Sequence, residues 1–270
     1  MQNNNFISKK IKAGIANASL VLMATTSLMF FSGCGKKTEA VITDDGVDIT
    51  EAATQYPTVA ESKEEKFSYK DLSVNGIKCF MSEEDAKKVK GEPSAVYDSD
   101  SERVYSYNDL TLIFTKLDSS NHEVGKSEEG QYKLTAAASV SDKDKFARGL
   151  KVGVDADKVI EAYYRDTNYL NNKYVSKDKS TVMGNFLYGN LTLDDLDNVK
   201  TKDQIMYGMI NYSGYQSKEL ADNYIIEYTY FDSTYKDGMA STKDDFAQIA
   251  FDVDRDNKVT AIRWYYYPEE

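Results

Sequence analysis

The sequence predicts an α+β fold in which two tandem repeats each place a short helix on an antiparallel sheet. Three observations predict it: a glycine-to-cap segment that occurs twice, a short helical stretch after each copy, and alternating apolar and polar residues after each helix. With 41% apolar residues and only three prolines in 270 residues, the composition is that of a folded body.

The repeated segment lies at residues 76–82 (GIKCFMS) and again at residues 149–155 (GLKVGVD). Each copy reads glycine, apolar, lysine, apolar, and ends on a residue suited to begin a helix. Ser82 and Asp155 are good N-cap residues because their side-chain oxygens can accept an unpaired backbone N–H of the first turn. Short helices are therefore expected at residues 83–90 and at residues 156–164.

Strand-like segments follow each predicted helix. They lie at residues 103–107, 110–114 and 132–140 after the first helix, and at residues 205–212, 224–231, 247–253 and 258–267 after the second. The polar run at residues 254–257 predicts a tight turn between the last two strands. Residues 165–204 have no counterpart in the first copy and are interpreted as an insertion of loops, with room for a short helix.

The arrangement resembles small lipoproteins of the outer-membrane-assembly type and the beta-lactamase-inhibitor-protein fold. Both pack a helical segment on an antiparallel sheet, sometimes in tandem. The residues that carry the likeness are the two segments ending at Ser82 and Asp155, the stop at Gly91-Glu92-Pro93, and the closing run at residues 258–264. The likeness would cover residues 67–270. The chain also resembles uncharacterised lipoproteins of Gram-positive gut bacteria, a likeness that implies no mechanism.

Residues 1–33 are predicted to be a lipoprotein signal peptide. Three lysines lie within the first twelve residues, and an uncharged, largely apolar stretch follows at residues 13–33. The stretch ends in Phe31-Ser32-Gly33-Cys34, which resembles the lipobox of bacterial lipoproteins. That resemblance implies cleavage before Cys34, a diacylglycerol on its thiol, and a place on the extracytoplasmic face of the cell membrane. An uncleaved membrane helix and ordinary secretion are the alternatives, although polar residues make 13–33 a poor span.

The predicted organisation after the signal is a flexible tether at residues 34–66, a first repeat at 67–142 and a second repeat at 143–270. Loss of the signal lysines would change the formal net charge from −11 to −14. So acidic a body is not expected to bind nucleic acid. It suits a basic partner, or a solvated surface with no partner.

Single-residue candidates for catalysis are few. Cys79 would have no partner once Cys34 carries lipid, and it lies in an apolar run where a buried thiol acts as a small hydrophobe. The only histidine, His122, is expected in an exposed loop. Acid pairs such as Asp194-Asp195 and Asp244-Asp245 could serve a hydrolase, but no catalytic residues are assigned and no cofactor is expected.

A weak calcium candidate is the string Asp252, Asp254 and Asp256, because oxygen ligands at alternate positions can wrap the ion. Asn257 stands where an EF-hand needs glycine, and Arg263 stands where it needs glutamate. A hairpin turn is the preferred interpretation of this string.

Tyrosine is abundant, with 21 copies, and these side chains often contact partners or sugars. A possible binding surface comprises Tyr224, Tyr228, Tyr230, Trp264 and Tyr266, although a sheet core is the preferred interpretation of these residues. The sequence therefore favours a non-enzymatic binding or envelope-accessory module that meets an unknown protein or glycan and reaches the membrane through its lipid. The alternative is a hydrolase of cell-envelope polymers that uses a carboxylate pair.

Overall fold

The computed structural model describes residues 56–122, 124–175, 182–191, 206–212, 222–231 and 246–268. Strands account for 48% of this part of the chain and helices for 14%. The predicted signal peptide and residues 34–55 of the predicted tether lie outside the described residues.

Fourteen strands occur in the described ranges. Their bounds are β1 Ser73–Val74, β2 Ile77–Lys78, β3 Ala95–Asp98, β4 Glu102–Tyr107, β5 Leu110–Leu117, β6 Ser120–His122, β7 Gly125–Ser127, β8 Gln131–Ser139, β9 Lys173–Val175, β10 Val182–Tyr188, β11 Gly208–Asn211, β12 Asn223–Phe231, β13 Phe246–Asp254 and β14 Val259–Tyr267. Ten of them form one antiparallel sheet in the order β3-β4-β5-β8-β14-β13-β12-β11-β10-β9. The pairs β1–β2 and β6–β7 form two small hairpins.

Two α-helices begin where the sequence predicts, α1 at Glu83–Lys90 and α2 at Ala156–Ala162. The Ser82 hydroxyl accepts the backbone N–H of Asp85 at 3.2 Å, which confirms the predicted cap of α1. Asp155 also holds the cap position of α2, but its side chain makes no capping bond there. Its carboxylate instead accepts a hydrogen bond from Lys258 Nζ at 2.7 Å, so this cap serves to tie α2 to the last hairpin.

The predicted α+β fold class is wrong, because the described residues are mainly β. Helices of eight and seven residues are about 10–12 Å long and cover little of a ten-stranded sheet. Strands assigned to separate repeats pair side by side, with Ala137 of β8 opposite Trp264 of β14. This pairing removes two sheet edges that would otherwise expose unpaired backbone groups. The domain boundary after residue 142 stays a prediction.

The stretch interpreted as an insertion, residues 165–204, contributes to the sheet where it is described. It supplies β9 and β10, preceded by a 3-10 turn at Tyr169–Asn171. β10 pairs with β11 on one side and with β9 on the other. The interpretation as loops is therefore wrong for residues 173–175 and 182–188, whereas the 3-10 turn is the kind of short helix that the interpretation allowed for.

The main core lies on one face of the sheet. Alternate residues of the central strands point to this face and meet α1, α2 and the segment before β1. Its buried members include Phe67, Leu72, Ile77, Ala86, Phe114, Val159, Ile160, Tyr228, Phe251 and Trp264. The opposite face is called the outer face below, and it includes Glu227, Gln248 and Arg263.

Residues 56–66, the end of the predicted tether, contact the folded body. Tyr56 and Asn171 exchange two hydrogen bonds of 2.8 Å, from the Tyr56 N–H to Asn171 Oδ1 and from Asn171 Nδ2 to the Tyr56 carbonyl. The Val59 N–H donates to the Thr167 carbonyl at 2.8 Å. The length available as a free tether would therefore end near residue 55.

Arg148 binds the end of the same segment through a largely buried side chain. Its guanidinium forms two hydrogen bonds with the Asp71 carboxylate, from Nε at 2.8 Å and from Nη2 at 3.0 Å. The remaining N–H groups donate to the carbonyls of Glu65, Lys66 and Ala162. All five donors are thus used, and the Ala162 carbonyl is one of those that a helix C-terminus leaves unpaired. One side chain joins the entry segment to the end of α2.

We expect Arg148→Met to lower the free energy of unfolding by about 3–5 kcal/mol, because it leaves the Asp71 carboxylate buried without its partner. The Arg148 and Asp71 side chains are only 18% and 8% exposed. The control is Arg255→Met, which removes an ion pair to Asp222 in which both side chains are more than 70% exposed. It should cost less than about 1 kcal/mol. Chemical denaturation measures both variants, and equal losses would contradict a special role for Arg148.

Candidate functional site

The residues considered as a tyrosine binding surface lie in or against the core, as the sheet-core interpretation had it. Tyr224, Tyr228, Trp264 and Tyr266 are all at most 3% exposed. Tyr230 is half-buried and packs edge-on against the Tyr69 ring at 4.7 Å. Alternation along a strand shows which residues share a face, but it does not show which face is covered. The aromatic face is the covered one.

Tyr228 shows how closely this face is packed. Its ring centroid lies 4.2 Å from that of Tyr163, and its hydroxyl donates to the Val159 carbonyl in α2 at 3.3 Å. A Cβ on Gly208 would lie 2.7 Å from ring atoms of both Tyr188 and Tyr228. A partner could reach these rings only if the core opened.

The string considered for calcium forms a hairpin turn. The Asp254 carboxylate accepts the backbone N–H groups of Asp256 and Lys258 at 3.0 and 2.9 Å. Asp252 lies two residues before Asp254 in β13 and forms an ion pair with Arg263. Asp256 is exposed. Within the described residues, no three acidic, histidine or cysteine side chains come together as a metal-binding group.

His122 is not an exposed loop residue as expected. It ends β6, is 9% exposed, and its ring packs edge-on against Phe80 at 5.1 Å and Tyr266 at 6.1 Å. Cys79 is a partly buried thiol whose Sγ lies 3.6 Å from the Leu134 carbonyl. Both side chains serve packing in this arrangement. The acid pairs at residues 194–195 and 244–245 lie outside the described residues.

The outer face carries a polar row that the sequence did not single out. Glu227 of β12 accepts hydrogen bonds from the Tyr207 hydroxyl and from Gln248 Nε2, both at 3.3 Å. Register places Glu227 and Arg263 on either side of Ala250. Arg263 Nη1 pairs with Asp252, while Arg263 Nε is buried and has no hydrogen-bond partner in the described part of the chain.

Burial raises the pKa of Glu227 from 4.5 to about 7, against the opposing effects of the Tyr207 hydroxyl and the Arg263 charge. Its two hydrogen bonds, both 3.3 Å long, stabilise the ionised carboxylate too weakly to offset the solvation that it loses on burial. Both carboxylates of the row, Glu227 and Asp252, contact side chains of the protein itself. The row is therefore a structural polar network, and it does not favour the hydrolase alternative.

Among the residues that the structure describes, the sheet edge at β3 holds the two most exposed large apolar side chains. All four of its residues are exposed, with Val96 at 54% and Tyr97 at 68%. β3 pairs with β4 on one side and ends the strand order on the other. The signal for it was in the sequence: an Ala95-Val96-Tyr97 run between Pro93 and the turn-forming Asp98-Ser99-Asp100 is typical of a short edge strand.

No family model, curated protein or solved structure matches this chain. The resemblance to outer-membrane-assembly lipoproteins and to the beta-lactamase-inhibitor-protein fold therefore stays a prediction. Neither described helix is long and apolar enough to cross a bilayer.

The raised pKa of Glu227 predicts a pH-dependent stability. Between pH 4.5 and about 7 the folded state keeps a proton that the unfolded chain has lost, so this stabilisation is complete below pH 4.5 and is lost as the pH rises through 7. Glu227→Gln should remove the decline, which is at most about 3 kcal/mol. Urea denaturation between pH 4 and pH 8 measures it, with Glu92→Gln as the exposed control. The same slope in Glu227→Gln and wild type would contradict the assignment.

Proposed function

We propose that the chain is a lipid-anchored, extracytoplasmic binding module of the cell envelope rather than an enzyme, and that it meets a protein partner at the β3 edge. The observation that carries the proposal is the exposed edge strand itself. Its backbone groups on the side away from β4 can form a ladder with an added strand, and exposed Val96 and Tyr97 can pack on that strand's side chains.

A protein partner is favoured over a glycan. Sugar binding commonly uses exposed aromatic rings, and the aromatic residues first considered for that purpose are buried in the core. An edge strand recognises backbone, which only another polypeptide offers. A sheet edge that has unpaired backbone groups and exposed apolar side chains is also a template for pairing with another chain.

The anchor half of the proposal rests on the sequence. The basic start, the uncharged stretch and the Phe31-Ser32-Gly33-Cys34 motif favour lipidation at Cys34. Lipid on that residue would hold the body at the outer face of the membrane, where a partner in the envelope is within reach.

Cys34→Ser should abolish lipid attachment and leave the precursor uncut. Growth with an alkyne-tagged fatty acid, followed by gel analysis, measures both the label and the change in mobility. Cys79→Ser is the matched control and should keep the label, because Cys79 is a partly buried thiol of the body. Equal labelling of wild type and Cys34→Ser would refute lipidation at Cys34.

Val96→Pro should reduce partner capture by the β3 edge at least tenfold, since proline removes the outward N–H and blocks an added strand. The full chain is cross-linked in envelope membranes of the cells that make it and is then solubilised in detergent. The captured protein is quantified by mass spectrometry. Val96→Thr keeps the N–H and the branched shape, and it should capture like wild type. Equal capture by all three chains would show that the partner binds elsewhere.

A further inference from the structure

The hydrogen-bond pattern of β3 defines which groups face an added strand. The Ser99 N–H donates to the Glu102 carbonyl at 2.9 Å, which makes these two residues a hydrogen-bonded pair. Tyr97, two residues before Ser99, lies opposite Val104. Bonded and non-bonded pairs alternate in an antiparallel ladder. The N–H and carbonyl groups of Val96 and Asp98 therefore point away from β4, toward the open edge.

The surroundings of this edge are acidic. Residues 91–102 contain four carboxylates, at Glu92, Asp98, Asp100 and Glu102, and no lysine or arginine. Glu92 pairs with Lys87 at 3.0 Å and Asp98 pairs with Arg103 at 3.1 Å. Among the described residues, Asp100 and Glu102 form no ion pair, and both are exposed. A strand added here would lie along a negative rim.

A second copy of the chain fits this edge poorly. An antiparallel β3–β3 pairing would bring two such acidic rims together, and like charges across a contact are unfavourable. The whole chain has the same sign, with a formal net charge of −11. The charge pattern favours an occupant of opposite sign.

We infer that β3 binds an extended segment of another protein that has apolar residues at alternate positions and lysine or arginine at the end beside the β3–β4 turn. The inference rests on the proposed function and specifies the partner. Backbone pairing with Val96 and Asp98 supplies the ladder, and Val96 and Tyr97 contact the apolar positions on the two sides of the sheet. Asp100 and Glu102, which both lie at the β3–β4 turn, attract the basic end.

The probe is a short fluorescent peptide that alternates valine and threonine and carries two lysines at each end. The control peptide carries two glutamates at each end. Binding to the full chain in detergent is followed by anisotropy at about 50 mM and about 500 mM NaCl. The lysine peptide should bind at least tenfold more tightly than the glutamate peptide at low salt, and the difference should shrink at high salt.

Two variants separate the ladder from the charge. Val96→Pro should weaken the binding of both peptides at least tenfold, while Val96→Thr should leave it unchanged. Circular dichroism checks that both variants are folded. Asp100→Lys combined with Glu102→Lys should reverse the preference for the lysine peptide.

The outcomes distinguish the two levels of the proposal. Equal binding of both peptides, still lost in Val96→Pro, would overturn the basic partner and leave strand addition standing. Dimerisation of the chain that Val96→Pro abolishes would replace the basic partner with a second copy. If neither peptide binds and the chain does not dimerise, the proposed function is overturned as well.

Discussion

The contact on which the rest of the body depends is the bidentate pair between Arg148 and Asp71. It brings together the entry segment, the 3-10 turn at Tyr69–Asp71 and the end of α2, which are distant in sequence. Arg148 itself has φ +57°, a conformation that costs a non-glycine residue about 1 kcal/mol or more. Its five hydrogen bonds and the Tyr163 ring 4.0 Å away hold it there. The hydrogen bonds of the Arg148 side chain thus offset the cost of the backbone conformation at the same residue.

Local features of the fold could be predicted from the sequence, because they depend on nearby residues. Ser82 began α1 and Gly91, at φ +88°, ended it. The turn at residues 254–257 formed as expected, with the Asn257 N–H bonded to the Asp254 carbonyl at 3.0 Å. Caps and tight turns close over three or four residues, so their chemistry can be recognised in a single stretch of chain.

Long-range features could not be predicted in the same way. The pairing of Ala137 with Trp264 joins strands more than a hundred residues apart, and neither strand contains a signal for its partner. The covered face of β12 was also ambiguous, because Tyr224, Tyr228 and Tyr230 alternate with Ile225, Glu227 and Thr229, and each set contains residues that suit a core. A single arginine that binds two carboxylate oxygens and three carbonyls leaves no sequence pattern at all. The edge strand β3 was within reach, but its four residues gave less signal than the tyrosines.

The docking of Tyr56 against Asn171 places the start of the described body at one end of the sheet. Asn171 comes just before β9, at one end of the strand order, while β3 is at the other end. Ten strands spaced about 4.8 Å apart separate these ends by roughly 40 Å. The segment that enters the body at Tyr56 therefore does not compete for space with a strand added at β3. Under the proposed function, a partner strand could pair with β3 without displacing the docked residues 56–59.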